Sequence, residues 1–196
     1  IKQNKIKKIT STDTIEVKIN LILVLDVSGS MSSNSRLYNL KTVSKEMVKK
    51  LNLENSTVSI ITFESSASTI LSYSNNQSSI DNAINSLSAS GGTSFLSAIG
   101  QTASFLQTSV NDKDNYVIFL SDGDSADTPR SSDVDYVKNK AKVYTIGIGG
   151  AVASQLIPLA TSRDNYYSYD DVSDSDSLNG LYKIFDDIRI ESKVAA

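Results

Sequence analysis

A short apolar run that ends at an acidic residue constrains the fold more than any other feature of the chain. Residues 17–25 begin with alternating polar and apolar side chains and finish with the apolar run Leu21–Leu25, directly before Asp26. Such a run, bounded by polar residues, is typical of a strand buried on both faces, as in parallel sheets covered by helices. Ligands of such sheets bind at the carboxyl ends of the strands, which is where Asp26 lies.

The rest of the chain alternates between strand and helix patterns. Apolar runs predict further strands at 58–63, 67–73, 116–120, 143–148 and 166–169. Apolar residues spaced by three and four predict helices at 37–51, 80–87, 95–106, 133–140, 153–160 (interrupted near Pro158) and 178–188. Only Glu64-Ser65-Ser66 separates the second and third strands, which favours a hairpin. We therefore expect an α/β fold, with a doubly wound, Rossmann-like, mostly parallel sheet of about six strands, one antiparallel edge strand and helices on both faces.

Length and charge indicate one soluble domain. The chain has 196 residues, and we place the domain at 16–192, after an N-terminal extension or linker remnant at 1–15. A net charge of −3 gives no electrostatic reason to expect nucleic acid as a partner. No apolar run approaches the ~20 residues of a membrane span, so we expect no direct membrane insertion. Because the chain begins at Ile1 without a signal peptide, we expect a fragment of a longer protein, monomeric by itself.

Two residue types are missing, and their absence excludes several kinds of site. Without histidine, the chain has no Ser-His-Asp or Cys-His machinery and no histidine-ligated zinc. Without cysteine, it has no disulfide, thiolate metal site or redox thiol. Any metal must therefore be held by oxygen atoms.

Three loops offer such oxygen atoms. They are Asp26–Met31, Gly91–Ser94 and Ser121–Asp124, and the first and third directly follow apolar strands. In the pattern Asp-x-Ser-x-Ser, side chains two residues apart point the same way while the chain is extended, so they can converge on one point. Hard cations such as Mg²⁺ prefer oxygen ligands and keep some water, and two carboxylates with three hydroxyls would leave one position open. Each loop alone is also compatible with a turn or a helix cap without metal.

The combination resembles the von Willebrand factor type A domain family over nearly the whole chain. The resemblance rests on Asp26-x-Ser28-x-Ser30, on Thr93 after a glycine pair and on Asp122-Gly123 after an apolar strand. It implies a metal-ion-dependent adhesion site that binds Mg²⁺, or else Mn²⁺ or Ca²⁺. Ser28, Ser30 and Thr93 would supply hydroxyls, and Asp26 and Asp122 would act directly or through water.

The implied partner is a protein that offers a carboxylate to the open position. A cation held largely by neutral hydroxyls keeps much of its charge and attracts such a group strongly. We expect selectivity to come from residues of the surrounding loops, namely Ser32, Asn34, Arg36, Ser94 and Asp124.

Other acidic and glycine-rich segments have simpler interpretations. Asp124, Asp127 and the loop 170–176 do not match a calcium-binding loop, and we interpret them as solvated loops and a helix cap. The segment 147–150 lacks the dinucleotide-binding fingerprint and predicts a turn. The apolar stripe of the last helix fits core packing, with a switching role as the alternative.

We expect the chain to be a binding module for adhesion and not an enzyme, secreted or at the surface of a cell, as in a bacterial surface protein. An intracellular assembly module that works with an AAA-type ATPase is the alternative. A metal-dependent phosphohydrolase is a third hypothesis, disfavoured because the chain has no histidine base and no glycine-rich loop that could cradle a phosphate.

Overall fold

One six-stranded sheet organises the part of the chain that the structure describes. The structure is a computed structural model that describes residues 18–109, 113–149 and 151–169, without the side chains of Asn34 and Tyr169. The strands are β1 (Ile19–Asp26), β2 (Thr57–Phe63), β3 (Ala67–Ser74), β4 (Asp114–Ser121), β5 (Lys142–Ile148) and β6 (Tyr166–Tyr169). They lie in the order β3-β2-β1-β4-β5-β6, and β3 alone in this sheet is antiparallel to its neighbour. The predicted fold class, including the antiparallel edge strand, is confirmed.

Five α-helices within the described residues connect these strands. They are α1 (Arg36–Lys49), α2 (Gln77–Asn85), α3 (Phe95–Gln107), α4 (Ser131–Lys140) and α5 (Ala153–Leu156). The predicted helix at 153–160 is one α-helical turn followed by a 3₁₀ turn at Ile157–Leu159, because Pro158 has no N–H to continue the helical hydrogen bonds. The acidic loop 170–176 and the helix predicted at 178–188 lie outside the described residues. No described helix is both long and apolar enough to cross a membrane.

The central strand β1 divides the core into two layers. All its eight residues are buried. Leu21, Leu23 and Leu25 pack in the same cluster as buried residues of α1 and α2, whereas Ile22 and Val24 pack with α3. This alternation follows from the two-residue period of a strand, and it explains why the run had to be continuously apolar.

The register of the sheet brings three chain segments to one edge. In the parallel pairs, Asp26 lies opposite Phe63 of β2, and Leu25 lies opposite Leu120 of β4. The strands β1, β2 and β4 therefore end at the same level, and the loops that follow them start side by side. This edge carries the candidate site.

Candidate metal centre

Asp26, at the end of β1, is a fully buried carboxylate of the site. It is 0% exposed. Its Oδ1 accepts a hydrogen bond from the backbone N–H of Ser28 at 2.8 Å, and its Oδ2 accepts one from Ser121 Oγ at 2.5 Å. Burial raises the pKa of Asp26; the hydrogen bonds from Ser121 and Ser28 oppose that shift, and the nearby charge of Asp122 adds to it. A cation close to this carboxylate would offset the cost of its burial.

The two serines of the motif link this loop to the carboxylate of Asp122. Ser30 Oγ donates to Asp122 Oδ1 at 2.7 Å. Ser28 Oγ lies 3.1 Å from Ser30 Oγ. Because Ser30 gives its one hydroxyl proton to Asp122, Ser28 is the donor in that second contact. The oxygen atoms of Ser28, Ser30 and Asp122 thus form one connected series.

Thr93 reaches the same place from the glycine loop. A Cβ added at Gly123 would lie 3.2 Å from Thr93 Oγ1, so the Thr93 hydroxyl packs against the backbone directly after Asp122. The loop is tied to the first one by hydrogen bonds from Gly29 N to Gly91 O at 3.1 Å and from Ser90 N to Val27 O at 2.8 Å. All five predicted ligand residues therefore belong to loops that contact one another.

A second polar network holds the glycine loop against the loop after β4. Asp127 Oδ2 accepts from Ser94 Oγ at 2.5 Å, while its Oδ1 accepts from Leu96 N at 2.9 Å and from Ser125 Oγ at 2.8 Å. Gln155 fixes Ser125 in turn, because its amide accepts from Ser125 N and donates to Ser125 O, both at 2.9 Å. Asp127 thus ties the first turn of α3 to the loop after β4.

These contacts also set the protonation of Asp127. Partial burial raises its pKa, but the hydrogen bonds from Ser94, Leu96 and Ser125 together outweigh that effect and hold the pKa below its ordinary value. Among the described residues, no group of three or more Asp or Glu side chains could hold a metal ion. Asp127 is thus a hydrogen-bonded anion that holds the loop after β4 against α3, whose own N-cap is Ser94.

The residues predicted to contact a partner fall into two groups. Ser32 and Asp124 are exposed, although Ser32 Oγ donates to Gly29 O at 2.7 Å. Ser94, in contrast, is only 6% exposed and caps α3 by accepting from Ser97 N, so its hydroxyl does not face solvent. Asn34 lies in the 3₁₀ segment Gly29–Ser35, and its side chain is not described.

Arg36 differs most from its predicted role as a loop contact. It is the first residue of α1, and its Nη1 donates to Asp122 Oδ2 at 2.7 Å. Its side chain is 18% exposed and that of Asp122 is 0% exposed. Arg36 therefore pairs with a predicted metal ligand and does not extend freely towards solvent.

The sequence patterns missed Ser125 and Gln155, and they placed Ser121 in the third oxygen-bearing loop without a role of its own. In the structure Ser121 is the last residue of β4, and its hydroxyl donates to Asp26. Ser125 and Gln155 carry no motif, and only the folded chain brings them together.

The residues present fit a hard divalent cation by the chemistry of their donors. Two carboxylates and three hydroxyls from neighbouring loops are the oxygen ligands that Mg²⁺ prefers, and Asp26 and Asp122 are buried. These side chains could hold the ion. Ser32 and Asp124 are exposed beside them and could contact a molecule that binds the ion.

Comparison with known proteins relates the chain to a protein family and to curated relatives. A family model described as von Willebrand factor type A domain matches residues 20–184. Calcium-activated chloride channel regulator 1 of Equus caballus is 30% identical over 168 residues, which are 83% of this chain and 18% of that protein. The same regulator from Mus musculus is 30% identical over 169 residues, with the same coverage. The chain thus spans about a fifth of the length of these curated relatives.

Solved structures share the fold at low sequence identity. Proximal thread matrix protein 1 from the mussel byssus, solved with a zinc-occupied MIDAS motif, has a TM-score of 0.74 at 19% identity, over 90% of this chain and 46% of that one. A type V pilus tip protein domain from Porphyromonas gingivalis has a TM-score of 0.76 at 12% identity, over 90% and 97%. A pilus adhesin from Lactobacillus rhamnosus GG has a TM-score of 0.71 at 18% identity, over 88% and 31%.

Proposed function

Because the chain belongs to the von Willebrand factor type A domain family, we propose that it is a divalent-cation-dependent protein-binding module that captures a carboxylate of its partner. The observation that carries the proposal is the connected series of oxygen atoms from Ser28 through Ser30 to Asp122, beside the buried Asp26. We take Mg²⁺ as the ion, held by these four residues and Thr93. When bound, it supplies residual positive charge at an open coordination position, which an external carboxylate fills.

The residues of the chain make this role specific. Asp26 and Asp122 supply the negative charge, whereas Ser28, Ser30 and Thr93 are neutral, so the ion keeps charge for the partner. Exposed Ser32 and Asp124 stand beside the site and would contact the rest of the partner. The role that we propose is binding and not catalysis; without histidine and cysteine, the sequence has no Ser-His-Asp or Cys-His machinery.

The setting that we propose is outside the cell or at its surface. Proteins with the same fold include a pilus tip protein, a pilus adhesin and a byssus matrix protein, and this supports an adhesive role. We also propose that residues 16–192 form the whole module and that 1–15 precede it as a linker.

Two measurements test the function. Calorimetric titration with MgCl₂ measures binding of the ion, and a peptide array compares acidic peptides with copies in which Asp and Glu are replaced by Asn and Gln. We expect the domain to bind Mg²⁺ and, in its presence, to bind a subset of acidic peptides but not their amide copies. EDTA and Thr93→Ala should abolish peptide binding.

The control variant is Thr108→Ala. Thr108 lies just beyond the other end of α3, where its hydroxyl donates to Phe105 O at 2.8 Å. Its removal leaves the site intact, so peptide binding should persist. Absence of Mg²⁺ binding, or peptide binding that survives both EDTA and Thr93→Ala, would contradict the proposal.

A further inference from the structure

Arg36 is the feature of the candidate site that a metal-binding role alone leaves unexplained. Its guanidinium Nη1 lies 2.7 Å from Asp122 Oδ2, while the other carboxylate oxygen, Oδ1, accepts from Ser30. Its Nε is buried and has no hydrogen-bond partner in the described structure. The side chain is thus held in the interior by one strong interaction, and that interaction is with a predicted metal ligand.

This ion pair differs from the other two pairs among the described residues. Lys49–Glu46 and Arg130–Asp133 lie on the surface, with lysine and arginine side chains 60% and 75% exposed. Surface pairs of that kind contribute little to stability. In the Arg36–Asp122 pair the carboxylate is fully buried, so loss of the partner would leave an uncompensated charge in the interior.

The backbone of the Asp-x-Ser-x-Ser loop leads directly to Arg36. The segment Gly29–Ser35, which carries Ser30, is a 3₁₀ helix. Ser35 then adopts a left-handed conformation with φ of 57°, and α1 begins at Arg36. This turn places a guanidinium and a ligand hydroxyl from one short segment on the two oxygens of the same carboxylate.

We propose that Arg36 is a built-in counter-cation of the site, which stabilises the metal-free protein and weakens its affinity for the divalent cation. The inference rests on the proposed metal site. Without metal, the guanidinium offsets the buried charge of Asp122. With metal, the same guanidinium is a positive charge beside a positive ion, and it holds one oxygen of a carboxylate that the ion needs. Arg36 thus acts as a positioning residue that sets the concentration of ion at which the module becomes competent to bind.

The test compares Arg36→Met, Arg36→Lys and the control Lys49→Met. Methionine keeps the length and apolar contacts of the arginine stem but removes the charge. Lys49→Met removes a positive charge from the same helix roughly 20 Å away, as 13 residues of rise imply. For each protein, the melting temperature is measured in EDTA and in saturating MgCl₂, and the Mg²⁺ dissociation constant by calorimetry.

We expect Arg36→Met to lower the melting temperature in EDTA by roughly 3–8 °C, since a buried carboxylate loses its partner. We expect the same variant to bind Mg²⁺ about 3- to 10-fold more tightly, so that the loss of melting temperature is smaller in saturating Mg²⁺ than in EDTA. Arg36→Lys should retain most of the wild-type behaviour, and Lys49→Met should change the dissociation constant less than twofold.

A purely structural role gives a different pattern. Loss of a purely structural contact would lower the melting temperature of Arg36→Met equally with and without Mg²⁺. It would leave the Mg²⁺ dissociation constant unchanged or make it larger. Each of these two results would overturn the inference. An unchanged melting temperature in EDTA would also overturn it. If the wild-type domain binds no Mg²⁺ at all, the proposed function fails together with this inference; if it binds Mg²⁺ and Arg36→Met binds no tighter, only the inference fails.

Discussion

At the scale of single residues, side chains of this domain hold distant segments of the chain together by hydrogen bonds. Asp127 is the clearest case, because its carboxylate joins the first turn of α3 to the loop after β4. Its pKa is lower in the folded protein than in the unfolded chain. A carboxyl group of this kind contributes stability above its unfolded-state pKa and loses that contribution as the pH falls through its folded-state pKa.

Asp127→Asn should therefore destabilise the domain in a pH-dependent way. At about pH 7 we expect the free energy of unfolding to fall by about 1–2 kcal/mol, because Asn keeps one acceptor but loses the charge and the acceptor that faces Ser94. As the pH falls below the ordinary Asp pKa of 3.8, the carboxyl group is protonated first in the unfolded chain and, at lower pH, in the folded wild-type protein, so the difference between the proteins should shrink over this range. Urea unfolding at several pH values measures this, with exposed Asp164→Asn as the control for charge. A difference independent of pH would show that the charge of Asp127 contributes nothing.

The sequence pattern pointed to the candidate ligand residues at this scale, but not to the residues that support them. The two-residue period of an extended segment applies to Asp26 and Ser28, whereas Ser30 already lies in the 3₁₀ segment Gly29–Ser35, which the spacing did not indicate. The buried position of Ser94 could not be predicted, because it depends on the hydrogen bond from its hydroxyl to Asp127, which only the folded chain brings together. The pairing of Arg36 with Asp122 joins residues 86 positions apart, and no local pattern indicates such a contact.

At the scale of elements, the candidate site depends on the constrained backbone of the glycine loop. Gly91 has φ of 74°, a left-handed conformation that glycine adopts without strain, and an added Cβ would collide with the side chain of Glu64. Its carbonyl accepts from Gly29 N, so this one position links the glycine loop to the Asp-x-Ser-x-Ser loop. The sequence indicated a turn at the glycine pair, but not that this turn would form a hydrogen bond with the Asp-x-Ser-x-Ser loop.

Two glycine-to-alanine substitutions separate this constraint from a general effect of glycine. Gly91→Ala should destabilise the domain by about 1–3 kcal/mol, because alanine is strained at positive φ and displaces Glu64. Gly100→Ala, within α3, should stabilise it by about 0.5–1 kcal/mol, because the nearest atom to the added Cβ is 3.9 Å away and alanine favours helix. Chemical denaturation gives both values. Equal effects of the same sign would show that the glycine loop is not constrained as described.

For the molecule as a whole, the parallel register of the sheet turns three distant segments into one site. β1 lies between β2 and β4, and its ends are level with theirs, so the loop after β1 meets both the loop after β4 and the glycine loop. The alternation of apolar runs was enough to predict this architecture, since burial on both faces leaves few alternatives. It could not predict how α5 contributes Gln155 to the supporting network, because that contact depends on helix packing.

If the site is one unit, Mg²⁺ should slow amide hydrogen exchange in all three loops together. The probes are the amides of Gly29, Ser94 and Gly123, which donate to Gly91 O, Glu64 O and Ser121 Oγ. When their exchange requires release of the ion, it should slow about 100-fold at 100 times the dissociation constant. Amides of the edge strand β3 that exchange by local opening should keep their rates.

Thr93→Ala is the decisive variant for this prediction, because it alters one loop only. Since the ion needs ligands from every loop, the variant should abolish the slowing at Gly29 and Gly123 as well as at Ser94. Slowing that persists at Gly29 would mean that the first loop binds the ion without the glycine loop. The sheet would then align the glycine loop beside the other two loops without coupling it to them through the ion.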